Sequence, residues 1–171
     1  DGVSDPITRQ LNGTLVETLV ELEKDVRLLV VGKRGETAHQ ASGHLGSNLE
    51  RVVREMHRPI LMVPKTFKRP EKILMAFDGS KTARKGVEML ARSPLFAGTE
   101  CHVLIVGAET AEHRFELEWA VSTLREAGHQ AEGAIRAGEV DEALQAYEKE
   151  HSIDLLVMGA YGHSRIRHLL V

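Results

Sequence analysis

The segment Leu155–Val171 reads LLVMGAYGHSRIRHLLV. An apolar run stops at Gly159, a second glycine follows at Gly162, and His163, Ser164 and Arg165 lead into a stretch patterned as a helix. A strand that ends in a glycine turn and feeds a helix leaves backbone N–H groups aimed at open space, an arrangement suited to an anion and most often a phosphate. The device occurs earlier as well. Leu28–Gly35 reads LLVVGKRG, and Gly46-Ser47 follows after ten residues. The same offset of 127 residues separates Gly32 from Gly159 and Gly35 from Gly162. The chain therefore reads as two copies of one unit.

Outward from these loops, the apolar pattern alternates between strands and helices. Leu15, Val16, Leu19, Val20 and Leu22 give one helical face. Arg27–Val31 fits a strand buried on both faces, as in a parallel sheet. Leu49, Val52, Val53 and Met56 recur at helical spacing behind Ser47, a candidate N-cap. Pro59 stops that helix, Ile60–Val63 is the next strand, and the charged stretch Lys65–Pro70 reads as a linker. The second unit opens with a strand at Ile73–Phe77 and a turn at Asp78-Gly79-Ser80. Strands at Val103–Val106, Ala131–Ala137 and Ile153–Met158 then alternate with helices carrying Ala83, Val87, Leu90 and Ala91; Leu117, Ala120, Val121 and Leu124; and Leu144 and Tyr147 inward. This alternation predicts an α/β fold, an open and mostly parallel five-stranded sheet with helices on both faces, in tandem with the first copy incomplete. The expected division is residues 1–66, the C-terminal half of a first domain, and 67–171, a second domain lacking its last helix and strand. The counterpart of Glu71 in the first copy would fall before Asp1, so the sequence reads as a piece of a longer protein.

Composition narrows the function classes. A formal net charge of −3 without long blocks of either sign gives no footprint for nucleic acid or an acidic membrane. No apolar run approaches the roughly 20 residues of a membrane span. The single Cys101 excludes an intrachain disulfide and fits a reducing compartment, so a cytoplasmic location is expected. The nine histidines are scattered, and the nearest pairs, His39/His44 and His163/His168, sit five apart rather than at the three or four of a helical metal pair. They read as surface groups, and no metal site is expected.

At Gly159, Gly162 and the nine residues His163–Val171, and at Asp78 closing the first strand of the second unit, the chain resembles the universal stress protein family, in its tandem two-domain form. Gly32, Gly35, Gly46 and Ser47 follow the same glycine pattern with ten spacer residues instead of nine. The resemblance implies a Rossmann-type fold like the adenine nucleotide alpha hydrolases and an ATP site, with or without Mg. Asp78 would contact the ribose or adenine, Ala76 and Phe77 would wall the base, and Val106 would lie under the adenine. Met158, Gly159 and Gly162 would line the ribose and phosphates, with His163 and Arg165 close by. Gly32, Gly35, Gly46 and Ser47 would form a second phosphate loop, to which Lys33 and Arg34 could add charge.

Each residue also has a plainer reading. The glycines can be turn formers, Asp78 an N-cap, and His163 and Arg165 solvated side chains. Three functions stay open: an ATP-dependent stress-response or signalling protein working through conformation and dimerisation, a nucleotide-free dimerising scaffold, and a slow ATPase. No catalytic constellation or Walker lysine stands out, so at most weak hydrolysis is expected. The resemblance also implies a homodimer or an intramolecular pairing of the tandem domains, with Ile60–Val63 as the edge strand.

Overall fold

The computed structural model describes residues 5–32, 47–64 and 66–159, and it divides into two compact units, Asp1–Phe67 and Lys68–Val171.

In the first unit, α1 (Leu15–Leu22) runs into a 3-10 turn at Glu23–Asp25, followed by β1 (Leu29–Gly32), α2 (Ser47–Glu55) and β2 (Ile60–Val63). β1 and β2 are parallel, with Leu29 opposite Ile60 and Gly32 opposite Val63. Val16, Val52 and Met56 form a small core with Leu19, Leu29 and Ile60 packed on it. The backbone N–H of His57 donates to the Glu23 carboxylate, and Arg58 Nε donates to the Glu23 carbonyl at 3.2 Å, which joins the end of α2 to the end of α1. β1 departs from the expectation of a strand buried on both faces. Its residues alternate between half-buried and exposed, and Val30 is 56% exposed.

The second unit contains β3 (Lys72–Ala76), α3 (Lys81–Arg92), β4 (Glu100–Val106), α4 (Ala111–Glu126), β5 (Gln130–Arg136), α5 (Val140–His151) and β6 (Leu155–Val157). All pairings are parallel, and the strand order is β5-β4-β3-β6. The described residues therefore form a four-stranded sheet, against the five strands expected. β3 has a partner on each side, and its three central residues are buried. Alternation along the strands separates two cores. Ile73, Met75, Cys101, Val103 and Ile105 pack with Val87 and Leu90 of α3 and Ala120, Val121 and Leu124 of α4. Leu74 and Leu104 pack with Leu144 and Tyr147 of α5. Helices thus cover both faces, as the alternating pattern predicts.

Local sequence fixes the helix ends. Ser80 caps α3 by accepting the Ala83 N–H at 3.1 Å, and Thr110 caps α4 by accepting the His113 N–H at 3.1 Å. Gly128, at φ +90°, turns the chain out of α4. Asp154 clips the opposite end of the sheet. Its carboxylate accepts the backbone N–H groups of Glu71 and Lys72 at 3.0 and 3.1 Å and pairs with Lys68 Nζ at 2.5 Å. The expected linker Lys65–Pro70 is thus tied into the second unit at Lys68. These donors, Lys68 first, hold the Asp154 carboxyl down at about 2.

Candidate functional site

In the second unit β4 and β5 continue to one side of β3, while β6 lies on the other. The strand order reverses between β3 and β6, and open parallel sheets take ligands outside the carboxyl ends of the strands at such a reversal. Met75 stands opposite Val157 in the ladder, so Ala76, Phe77 and Asp78 leave β3 beside Met158 and Gly159 leaving β6.

The turn after β3 is built by Asp78 itself. Its Oδ1 accepts the Ser80 N–H at 3.0 Å, and Gly79 adopts φ +73°, a conformation that favours glycine. The plainer reading of Asp78 as the helix cap is corrected here, because Ser80 holds that position. Asp78 is exposed at the mouth of the turn. Gly159 lies against the first turn of α3, where an added Cβ would sit 3.5 Å from Thr82 Cγ2. That is ordinary contact, so packing alone does not require glycine there. The exposed carboxylate, the glycine and the amino end of α3 meet at one place, and free N–H groups at a helix start favour an anion.

Ala76 and Val106, both half-buried, pack against the α5-side core at the same carboxyl end. Met158 is half-buried at the end of β6. Phe77 differs from its expected role as a wall of the base. It is buried, and its ring stacks on Trp119 at a centroid distance of 6.0 Å, so only its backbone is offered at the sheet end. Gly162, His163 and Arg165 lie outside the described residues, as do Gly35 and Gly46 of the first glycine loop. Gly32 closes β1 and is exposed, and Ser47 opens α2 as its first helical residue.

Several supporting residues had no signal in the sequence reading. The Arg84 guanidinium lies 4.3 Å from the centre of the Trp119 ring and pairs with Glu116, whose carboxylate abuts Gly79. Phe77, Trp119, Arg84 and Glu116 form a continuous brace behind the Asp78 turn. Beside it, Gly107 donates its N–H to the Arg136 carbonyl at 2.8 Å, and His113 Nδ1 lies 2.6 Å from the Ala108 carbonyl. An added Cβ at Gly107 would come within 3.1 Å of the His113 ring, so glycine lets that ring close the β4–α4 loop.

Residues 105–171 match the Universal stress protein family. The chain is 41% identical over 161 residues to a universal stress protein of Synechocystis, covering 93% of this chain and 56% of the relative. A universal stress protein from Archaeoglobus fulgidus superposes with a TM-score of 0.68 at 21% identity, covering 90% of this chain and 57% of that one. A second Archaeoglobus fulgidus structure, a universal stress protein in complex with dAMP, covers 60% of this chain and 91% of that chain at a TM-score of 0.50 and 21% identity. The chain spans little more than half the length of its Synechocystis relative. Residues 105–171 are thus similar to the universal stress protein family, and the solved structures share the chain's α/β fold with a parallel sheet. No helix among the described residues is long and apolar enough to cross a membrane.

Proposed function

We propose that this chain is part of a tandem universal stress protein that binds an adenine nucleotide, ATP with or without Mg, in its second unit. Residues 1–66 are read as the C-terminal half of a first domain and 67–171 as a second domain. The observation carrying the nucleotide reading is the reversal of strand order between β3 and β6, with Asp78 and Gly159 at the carboxyl ends of those strands. The dAMP complex of the Archaeoglobus fulgidus relative supports the choice of an adenine ligand. The 127-residue offset between the glycine loops and the greater length of the Synechocystis relative support the tandem reading.

In this reading Asp78 accepts hydrogen bonds from the ribose hydroxyls or the base. Ala76 and Val106 lie along the base. Gly159 and Gly162 admit the phosphates, Met158 flanks the ribose, and His163 and Arg165 supply positive charge. Gly32, Gly35, Gly46 and Ser47 form the corresponding loop of the first domain. Nucleotide occupancy then sets the pairing of tandem domains or of two chains in a cytoplasmic stress response.

The test is a calorimetric titration of the full chain with Mg-ATP beside Asp78→Ala. Loss of a hydrogen bond to a charged group weakens binding roughly 10- to 150-fold. A saturable parent isotherm that collapses to that extent in the variant supports the reading. Flat traces for both proteins sink it and favour the nucleotide-free scaffold.

A further inference from the structure

The amino end of the sheet, on its α5 face, holds a group of side chains that nucleotide binding does not use. His102 is buried in β4, directly opposite Glu132 in the β4–β5 ladder. Its Nε2 lies 2.9 Å from Glu100 Oε1. Its Nδ1 lies 2.9 Å from Glu132 Oε1 and 3.0 Å from the Tyr147 hydroxyl. A neutral imidazole carries one N–H, so it can donate to only one of these carboxylates. The other would face a lone pair, unless a cation comes between them.

A proton on His102 would satisfy both contacts, but a second imidazole converges on the same oxygen. His151 Nδ1 is 4.0 Å from Glu132 Oε1, the two rings are 5.0 Å apart, and His151 Nε2 is buried without a hydrogen-bond partner, 3.6 Å from Glu150 Oε1. Two neutral imidazoles and one carboxylate form a donor set that suits zinc and its neighbours among the transition metals. One ligand atom from each of His102, Glu132 and His151 lies within 4.8 Å of the others. Bonds of about 2.1 Å to a tetrahedral ion require roughly 3.4 Å, so Glu132 and His151 would turn inward on binding. Glu100, also 3.5 Å from Lys72 Nζ, would fix the tautomer by taking the Nε2–H and leaving the Nδ1 lone pair for the metal.

We propose that His102, Glu132 and His151 form a divalent transition-metal site of the zinc class, with Glu100 as its outer partner. The site joins the last turn of α5 to β4 and β5. His102 lies four residues before Val106 on the same strand, about 13 Å from the carboxyl end, so the site is separate from the nucleotide reading and does not depend on it.

The test is titration of the full chain with Zn²⁺ against a chromophoric chelator, together with the absorption spectrum of the Co²⁺ form. Glu132→Gln and His151→Asn are compared with the parent after circular dichroism confirms that each is folded; His102 is left intact because it is buried. The expected result is the loss of one zinc equivalent, or at least a tenfold weaker site, in each variant, together with loss of the tetrahedral Co²⁺ bands. Glu100→Gln is expected to keep the site and weaken it about 10- to 100-fold. Zinc binding that is absent in the parent, or unchanged in stoichiometry and affinity in Glu132→Gln and His151→Asn, overturns the proposal.

Discussion

Asp154 gathers two backbone N–H groups and the Lys68 ammonium at the amino end of β3, and its carboxyl sits at about 2 against an ordinary 3.8. A carboxyl depressed by folding contributes stability above its unfolded value and loses it as the pH falls through its folded value. The contribution is therefore complete above about pH 5 and fades between about pH 4 and pH 2. Linkage puts such a shift near 2 kcal/mol, and solvent screening around the exposed Lys68 lowers it to about 1 kcal/mol. Urea unfolding from pH 2 to pH 7 is expected to show Asp154→Asn less stable than the parent at neutral pH, with the difference reduced to a small fraction of that at pH 2. A constant difference across that range would refute the linkage. Ile73, Met75 and Phe77 alternate onto one face of β3, which already turns Phe77 toward α3 and α4 rather than toward a ligand. His102 shares the parity of Leu104, so a core position was legible and a surface histidine was the wrong expectation. Its convergence with Glu132 and His151 was not legible, because it depends on strand register.

At the element scale, β5 and α4 meet closely at Gly133. An added Cβ at Gly133 would lie 2.8 Å from Leu117 Cδ1, 2.9 Å from Leu117 Cγ and 2.9 Å from Val121 Cγ2. The Leu117 terminus can move, but its branch carbon and the stiff valine cannot do so cheaply. Gly133→Val is expected to destabilise the second unit by about 1–3 kcal/mol, read from the urea midpoint at unchanged m-value. An unchanged midpoint would mean that α4 slides freely over the sheet. Element types were largely legible, because Ala83, Val87 and Leu90 in α3 and Ala120, Val121 and Leu124 in α4 repeat at helical spacing and are all buried. Boundaries were less so. β5 begins at Gln130 rather than Ala131, and α3 takes its cap from Ser80 rather than Asp78. Both Asp78 and Ser80 are good caps by type, and only the backbone decides which carbonyl starts the helix.

In the second unit as a whole, the Asp78 turn and the Asp154 clip occupy opposite ends of β3. On the nucleotide reading proposed above, Mg-ATP at about 100 times its dissociation constant is expected to stabilise the folded unit by about 2.7 kcal/mol. Asp154→Asn should lower the melting temperature yet leave that increment unchanged, since the substitution is remote from the ligand. A reduced increment in thermal scans would show that the two ends are coupled. The parallel α/β class was legible from alternation, but the order β5-β4-β3-β6 was not, since each helical crossover can return to either side. That order also bears on synthesis. The edge of β3 formed by Ile73, Leu74 and Met75 pairs with Leu155–Val157, 82 residues later in the chain. At about 5–20 residues per second, a ribosome takes roughly 4–16 s to cover that interval. Until then β3, with three buried apolar residues at its centre, has one edge unpaired. In the growing polypeptide this edge is open to aggregation and to capture by a chaperone until β6 has been made.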